Sequence, residues 1–158
     1  MISTDAMDGL LIEAAQLADW LYVEAAGTSW HVLMNDTHAD GLDIELDGLR
    51  KVLTLSAEVG VPAVAEPDKK AFHEVVLAYN YYARTTSGLR LALTPAASGS
   101  FALMRDIAAS DLTAQDLVAQ LSDFSQKTLA WRDVMARPPA KSNISAIEAW
   151  QFLAGKRA

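Results

Sequence analysis

Histidine and carboxylate side chains are the residues of this chain whose chemistry could support catalysis or metal binding. The three histidines, His31, His38 and His73, have no second histidine or carboxylate at a metal-ligand spacing such as i, i+4. The chain also has no cysteine, which excludes thiol nucleophiles, disulfides and zinc sites built on sulfur. The sequence therefore predicts no metal site and no bound cofactor.

Three carboxylates, Asp43, Glu45 and Asp47, are the nearest approach to an acid–base site. They alternate with apolar residues, which is typical of the solvated face of a half-buried strand. A catalytic role would need a concave pocket that raises the pKa of one of them. Phosphate loops, nucleophile elbows and dinucleotide fingerprints are all absent. We therefore predict that the protein is not an enzyme, with a small hydrolase or isomerase using these acids as the catalytic alternative.

Charge divides the sequence into two unequal parts. Residues 1 to 49 contain ten acids and no lysine or arginine, whereas the remaining residues contain ten acids and thirteen bases. An acidic first part repels phosphate backbones and anionic lipid heads, so we expect neither nucleic-acid binding nor membrane insertion. The start lacks the basic region of a signal peptide, and no apolar run approaches the roughly 18 residues of a membrane span. A cytoplasmic location follows as the expectation.

Hydrophobic periodicity predicts a helix from Thr4 to Ala26, ended by Gly27 and followed by three strands. This helix has apolar residues on two faces, because Ile12, Trp20 and Val23 project opposite its main stripe. The strands form an antiparallel meander, and their predicted ranges are Ser29 to Asn35, 42 to 47 and Val52 to Val59.

A second helix is predicted from Asp68 to Ala83, and Leu77 and Tyr81 lie one turn apart outside its main apolar stripe. Two strands follow, at residues 89 to 93 and 101 to 104. The last long helix has a capping-box start, with Thr113 at the N-cap and Asp116 at N3.

The predicted fold is α+β, with three main helices and an antiparallel sheet of a three-strand meander plus a two-strand hairpin, in the order α-β-β-β-α-β-β-α. We expect one domain over residues 1 to 137 and a C-terminal tail over 138 to 158. The tail contains a short helical pattern through Ile144, Ile147, Trp150 and Leu153. Because a domain of this size cannot bury both faces of every helix, at least one apolar face should meet another chain.

The stretch from Val75 to Arg132 resembles the class I chaperones of bacterial type III secretion systems, the family similar to the Tir chaperone. Its pieces follow the family's order: an apolar helix ending in Asn80 and aromatics, a Thr/Gly connector, an alternating leucine strand, a Pro and Ser-Gly turn, another strand, and a closing helix with the pair Trp131 and Arg132. The segment VLTLSAEVGVPA, at Val52 to Ala63, is similar to the family's third strand and following loop.

This resemblance implies a homodimer that binds the N-terminal regions of secreted effector proteins and keeps them secretion-competent without ATP. The secretion ATPase is a further implied partner. In the family, the second helix and nearby late strands form the dimer interface, which maps here to Leu77, Tyr81 and Leu91. The first helix and the meander bind cargo, which maps here to Ile12, Trp20, Val23, Trp30 and Val32.

Three alternatives stay open at the level of sequence. Trp30 is either a cargo contact or a core residue, because large aromatics are most often buried. The whole chain is either an effector chaperone or a regulatory module of the same architecture that binds the secretion ATPase or export gate. In the tail, Trp150 and Phe152 either fold back on the dimer or form a separate docking site.

Overall fold

The computed structural model describes residues 3–20, 22–34, 41–95 and 99–137. The helices are α1 at Thr4–Ala18, α2 at Lys69–Tyr81 and α3 at Ala114–Ala136. The strands are β1 at Tyr22–Ala26, β2 at Ser29–Leu33, β3 at Leu42–Asp47, β4 at Val52–Gly60, β5 at Arg90–Leu93 and β6 at Phe101–Ala108. They form one antiparallel sheet in the order β1-β2-β3-β4-β6-β5, so the α+β prediction is confirmed. The predicted tail helix lies outside the described residues.

The first helix is shorter than predicted, and the sheet has one strand more. Helix α1 ends at Ala18 because Asp19 adopts a left-handed conformation with φ 53° and donates its backbone N–H to Ala15. Residues 22 to 26 then form β1, which pairs antiparallel with β2. Gly27, expected to end the helix, has φ 68° and lies instead in the two-residue turn between these strands. The meander therefore has four strands rather than three.

The chain has two compact units, which we describe separately. Unit 1 contains the described residues up to Ala57 together with Arg105–Gln126. Its core combines one side of α1, alternate residues of β2, β3 and β4, and the first half of α3. The largest fully buried side chains of this core are Trp30, Phe124, Met7, Leu11, Ile44, Leu53, Leu55, Leu117 and Leu121.

Two polar contacts complete the core of unit 1. The indole Nε1 of Trp30 donates a hydrogen bond to Asp8 Oδ1 at 2.6 Å, which satisfies the polar atom of a buried ring. The buried guanidinium of Arg105 on β6 donates to Asp123 Oδ2 at 2.8 Å and to the backbone oxygen of Gln120 at 2.8 Å. Arg105 also lies 5.8 Å from the ring centroid of Phe124, so it joins β6 to α3 by charge and by packing.

Unit 2 contains Glu58–Met104 and the described residues from Lys127. Edge-on aromatic contacts hold α2 in this unit: Phe72 meets Phe101 at 6.0 Å and Tyr79 meets Trp131 at 4.9 Å between ring centroids. Strands β5 and β6 form an antiparallel hairpin. The buried residues of α2 are therefore Phe72, Val76 and Tyr79, and its opposite side is not covered by the described residues.

Asn80 ties the end of α2 to β5 through the backbone of Leu91. Its Nδ2 donates to the Leu91 oxygen at 2.9 Å, and its Oδ1 accepts from the Leu91 N–H at 2.8 Å. Because this N–H is used by Asn80, it points away from β6 and toward the outer edge of the sheet. Asn80 therefore occupies the outward backbone groups of Leu91 as a neighbouring strand would.

The start of α3 is the capping box that the sequence predicts. The Thr113 backbone N–H and hydroxyl donate to Asp116 Oδ2 at 3.1 and 2.6 Å, and the Asp116 N–H donates to Thr113 Oγ1 at 3.1 Å. The Thr113 donors hold the pKa of the Asp116 carboxyl below its usual 3.8, because they stabilise the ionised form.

We expect the capping box to make the free energy of unfolding depend on pH in the acidic range. A carboxylate whose pKa is lowered in the folded state stabilises the fold above its unfolded pKa and loses that contribution as the pH falls through the folded pKa. Wild-type protein should thus be more stable than Asp116→Asn near neutral pH, and the difference should shrink below pH about 4. Urea unfolding over a pH series measures this. The exposed carboxylate control Glu45→Gln should differ little from wild type throughout, and an Asp116→Asn difference independent of pH would contradict the mechanism.

Removing the Asn80 side chain should loosen β5. Asn80→Ala leaves the N–H and oxygen of Leu91 without these partners, at an expected cost of about 1–3 kcal/mol in the free energy of unfolding. Asn80→Asp should also destabilise, since it places a carboxylate oxygen against the Leu91 oxygen. The matched control on the exposed side of α2, Glu74→Ala, should change stability by no more than about 0.5 kcal/mol. Denaturant unfolding in which Asn80→Ala matches wild type would disprove this role.

Candidate partner-binding surfaces

The side chains with catalytic potential are dispersed and solvated in this fold. Asp43 and Glu45 are exposed on β3, and Asp43 Oδ1 lies 2.8 Å from Nδ1 of His31 on β2. The ring of His73 lies 5.9 Å from that of Phe101, while His38 lies outside the described residues. Within residues 3–20, 22–34, 41–95 and 99–137, no three His, Asp or Glu side chains are grouped so as to hold a metal ion.

Exposed apolar side chains, in contrast, are concentrated on the helices and edge strands. One set in unit 2 occupies the outer side of α2 and the end of β5, and we call this set, Leu77, Tyr81, Tyr82 and Leu93, the α2 surface. Leu77 is 67% exposed and Tyr81 is 83% exposed, and their i, i+4 spacing places them side by side along the helix. The rings of Tyr81 and Tyr82 meet edge-on at 5.2 Å between centroids.

A second set lies in unit 1, and we call it the α1 surface: Ile12 and Leu17 on α1 and Tyr22 on β1. Ile12 is 55% exposed, and the other two side chains are exposed to a similar degree. Acidic side chains accompany them, because Glu13 on α1 and Glu24 on β1 are also exposed. Strand β1 is the first strand of the sheet and, among the described strands, pairs only with β2, so no described strand pairs with its other edge.

The residues predicted to bind cargo fall into two groups. Ile12 is exposed and Val23 half-buried, so both reach the surface of unit 1. Trp20, Trp30 and Val32 are buried in the chain itself. Alternation along β2 directs Trp30 and Val32 to the core side of the sheet, while His31 between them points to the other side.

The residues predicted for a dimer interface divide in the same way. Leu77 and Tyr81 are exposed members of the α2 surface, whereas the Leu91 side chain is buried and its backbone bonds to Asn80.

Sequence reasoning missed Leu17 and Tyr22, because it placed Leu17 in the core stripe and Tyr22 inside the helix. The signal for β1 was the pair of β-formers at 22 and 23, a few residues before Gly27.

No helix in the described part of the chain is both long enough and apolar enough to cross a membrane.

No protein-family description and no curated protein matches the sequence. Solved structures do match the fold. A chain of the HopA1–SchA chaperone–effector complex is 17% identical with a TM-score of 0.62, covering 80% of this chain and 93% of its own. A chain of the ExsC–ExsE complex is 22% identical with a TM-score of 0.66, covering 90% of this chain and 100% of its own.

A third match comes from the complex of the Yersinia pestis type III secretion chaperone SycH with a stable fragment of YscM2. It is 15% identical with a TM-score of 0.56, and it covers 78% of this chain and 97% of its own. Each of the three matches spans nearly all of the solved chain, so the likeness includes the whole architecture. This chain therefore shares its α+β fold with these solved structures, one of which is a type III secretion chaperone.

Proposed function

We propose that this protein is a cytoplasmic, non-catalytic chaperone of type III secretion. In this proposal it acts as a homodimer, binds the N-terminal region of secreted effectors and keeps them secretion-competent without ATP. The observation that carries it is that each compact unit presents exposed apolar side chains, the α1 surface on unit 1 and the α2 surface on unit 2. The similar structures support it, since one is a chaperone–effector complex and another is a type III secretion chaperone bound to a protein fragment.

The α2 surface fits a second copy of the chain. Two large side chains side by side on a rigid helix form a patch that can meet its own copy about a twofold axis, as isologous dimers require. Burying each of them from water is worth about 1.5–3 kcal/mol. Charges on this side of α2 lie toward its start, where Lys70 and Glu74 are 4.0 Å apart, so they leave the Leu77 and Tyr81 end apolar.

The α1 surface fits an extended cargo segment. The outer edge of β1, with which no described strand pairs, offers backbone N–H and C=O groups to an added strand, and the neighbouring exposed side chains offer apolar contacts for its anchors. The other edge strand, β5, is less available, because Asn80 already bonds the outward groups of Leu91. Acidic side chains beside β1 would speed the encounter with basic cargo segments.

The direct test is to purify the tagged full-length chain from its own bacterium under secretion-inducing conditions. The mass and composition of the recovered complex are then determined together. Recovery of a dimer bound to secreted proteins through their N-terminal regions would support the chaperone function. Recovery of the secretion ATPase or export gate alone would replace it with the regulatory module, and a monomer without partners would contradict both.

Leu77→Asp should dissociate the proposed dimer. Each dimer would lose two buried leucines and gain two buried charges, so the dissociation constant should rise by about 10²–10⁴ on the apolar contribution alone. Light scattering or sedimentation should then report a mass near the 17.1 kDa of one chain instead of twice that value. The control is Leu49→Asp, because Leu49 is 98% exposed and lies in unit 1. A Leu77→Asp protein that keeps the wild-type mass would contradict the assignment of this surface.

Ile12→Asp should weaken cargo binding while leaving the mass of the free protein unchanged. The loss of one apolar anchor predicts a decrease in affinity of about 10–100-fold toward an effector identified by the purification. Circular dichroism verifies the fold, since Ile12 is exposed and its substitution leaves the core intact. Leu49→Asp is again the matched control. If Ile12→Asp and Leu49→Asp bound the effector equally well, cargo would have to lie elsewhere.

A further inference from the structure

A third exposed apolar surface lies in unit 2, where α3 ends. The loop after β4 has the sequence VPAVA, and its Val61, Ala63 and Ala65 are exposed. On α3, Leu129, Ala130 and Ala136 are exposed as well. We call these six side chains the C-terminal face.

Two hydrogen bonds bring the loop and the helix together. The Ala63 N–H donates to the Met135 oxygen at 2.8 Å, so the loop binds a carbonyl group that the helix itself leaves unpaired near its end. The Arg132 Nε donates to the Glu58 oxygen at 3.0 Å. Val61 lies between these two attachments in sequence, which places it along the last two turns of α3. The loop is therefore attached to the last turns of α3 within unit 2.

The charge on this face is already paired. Asp133 lies on the same line of the helix as Leu129 and Ala136, because positions three, four and seven apart share one side. Arg137 donates from Nε to Asp133 Oδ1 at 3.1 Å, and this contact raises the pKa of Arg137. A partner on this face would therefore meet apolar side chains and a neutralised ion pair, which favours an apolar occupant.

We propose that the C-terminal face is covered by the chain's own residues 138 to 158, folded back in cis. The segment begins where the face ends, since it follows Arg137 directly, and Pro138 and Pro139 cannot continue the helix. Its apolar residues recur at every third position, a spacing of helical neighbours, at Ile144, Ile147, Trp150 and Leu153.

The length and the charge distribution of residues 138 to 158 also suit the C-terminal face. A helix over ten residues is about 15 Å long, and the eight residues from Leu129 to Ala136 span about 12 Å, so the predicted tail helix can run back along the face. Residues 140 to 143 are available to reverse the chain. The bases of the segment, Lys141, Lys156 and Arg157, flank this apolar stretch and leave only Glu148 within it. The apolar centre of the segment thus meets the apolar face.

The absence of cysteine permits a direct test on the full-length chain. In NMR spectra, a nitroxide attached to Ala130→Cys should broaden the amide signals of residues 144 to 153. Most of their intensity should be lost in comparison with the spectrum recorded after the nitroxide is reduced. The same label on Glu45→Cys, in unit 1, should leave these signals unchanged. Val61→Asp in the Ala130→Cys background should restore them, whereas Leu49→Asp should not.

A mixed sample identifies the occupant. Isotope-labelled chains without nitroxide are combined with unlabelled Ala130→Cys chains that carry it. Broadening within the same chain but not in the mixture supports docking in cis. Broadening in the mixture would mean that the tail covers a second copy, and no broadening in either sample would leave the face to another protein. Both of these outcomes overturn the proposal, and neither depends on whether the protein binds effectors.

Discussion

Successive side chains of a strand point to opposite faces of the sheet, and in β2, β3 and β4 this alternation decides which residues a partner can reach. Trp30 and Val32 lie on the core side, where the Trp30 indole donates to Asp8. His31 and Asp43 lie on the other side and pair with each other in solvent. These three strands therefore keep their large apolar side chains from contact with other proteins, which leaves apolar binding to the helices and the sheet edges.

The two edges of the sheet differ in what they offer. At β5 the Asn80 amide bonds both outward backbone groups of Leu91, so a strand added there would first have to displace it. At β1 no strand of the described ranges pairs with the outer edge, and four of the five β1 side chains are exposed. This asymmetry separates the proposed roles: β1 and α1 are suited to an extended cargo segment, and the outer side of α2 is suited to a second copy.

Rigid support behind each surface is what makes such contacts specific. The aromatic pairs of Phe72 with Phe101 and Tyr79 with Trp131 hold the buried side of α2, so the opposite side presents Leu77 and Tyr81 in a defined direction. At the end of α3, the bond from Ala63 to Met135 does the same for the C-terminal face. Surfaces ordered before binding lose less conformational entropy when a partner docks.

The sequence by itself determined the α+β class, the order of its helices, and the capping box of Thr113 and Asp116, because these depend on local periodicity and on side chains three residues apart. It also identified Leu77, Tyr81 and Ile12 as apolar residues outside a core stripe. It misplaced the end of the first helix, since the left-handed Asp19 and the pairing of β1 with β2 depend on a strand formed later in the chain. Only the tertiary structure decided that Trp30, Val32 and Leu91 are buried while Leu17 and Tyr22 are exposed, because burial depends on which elements pack together and not on hydrophobicity alone.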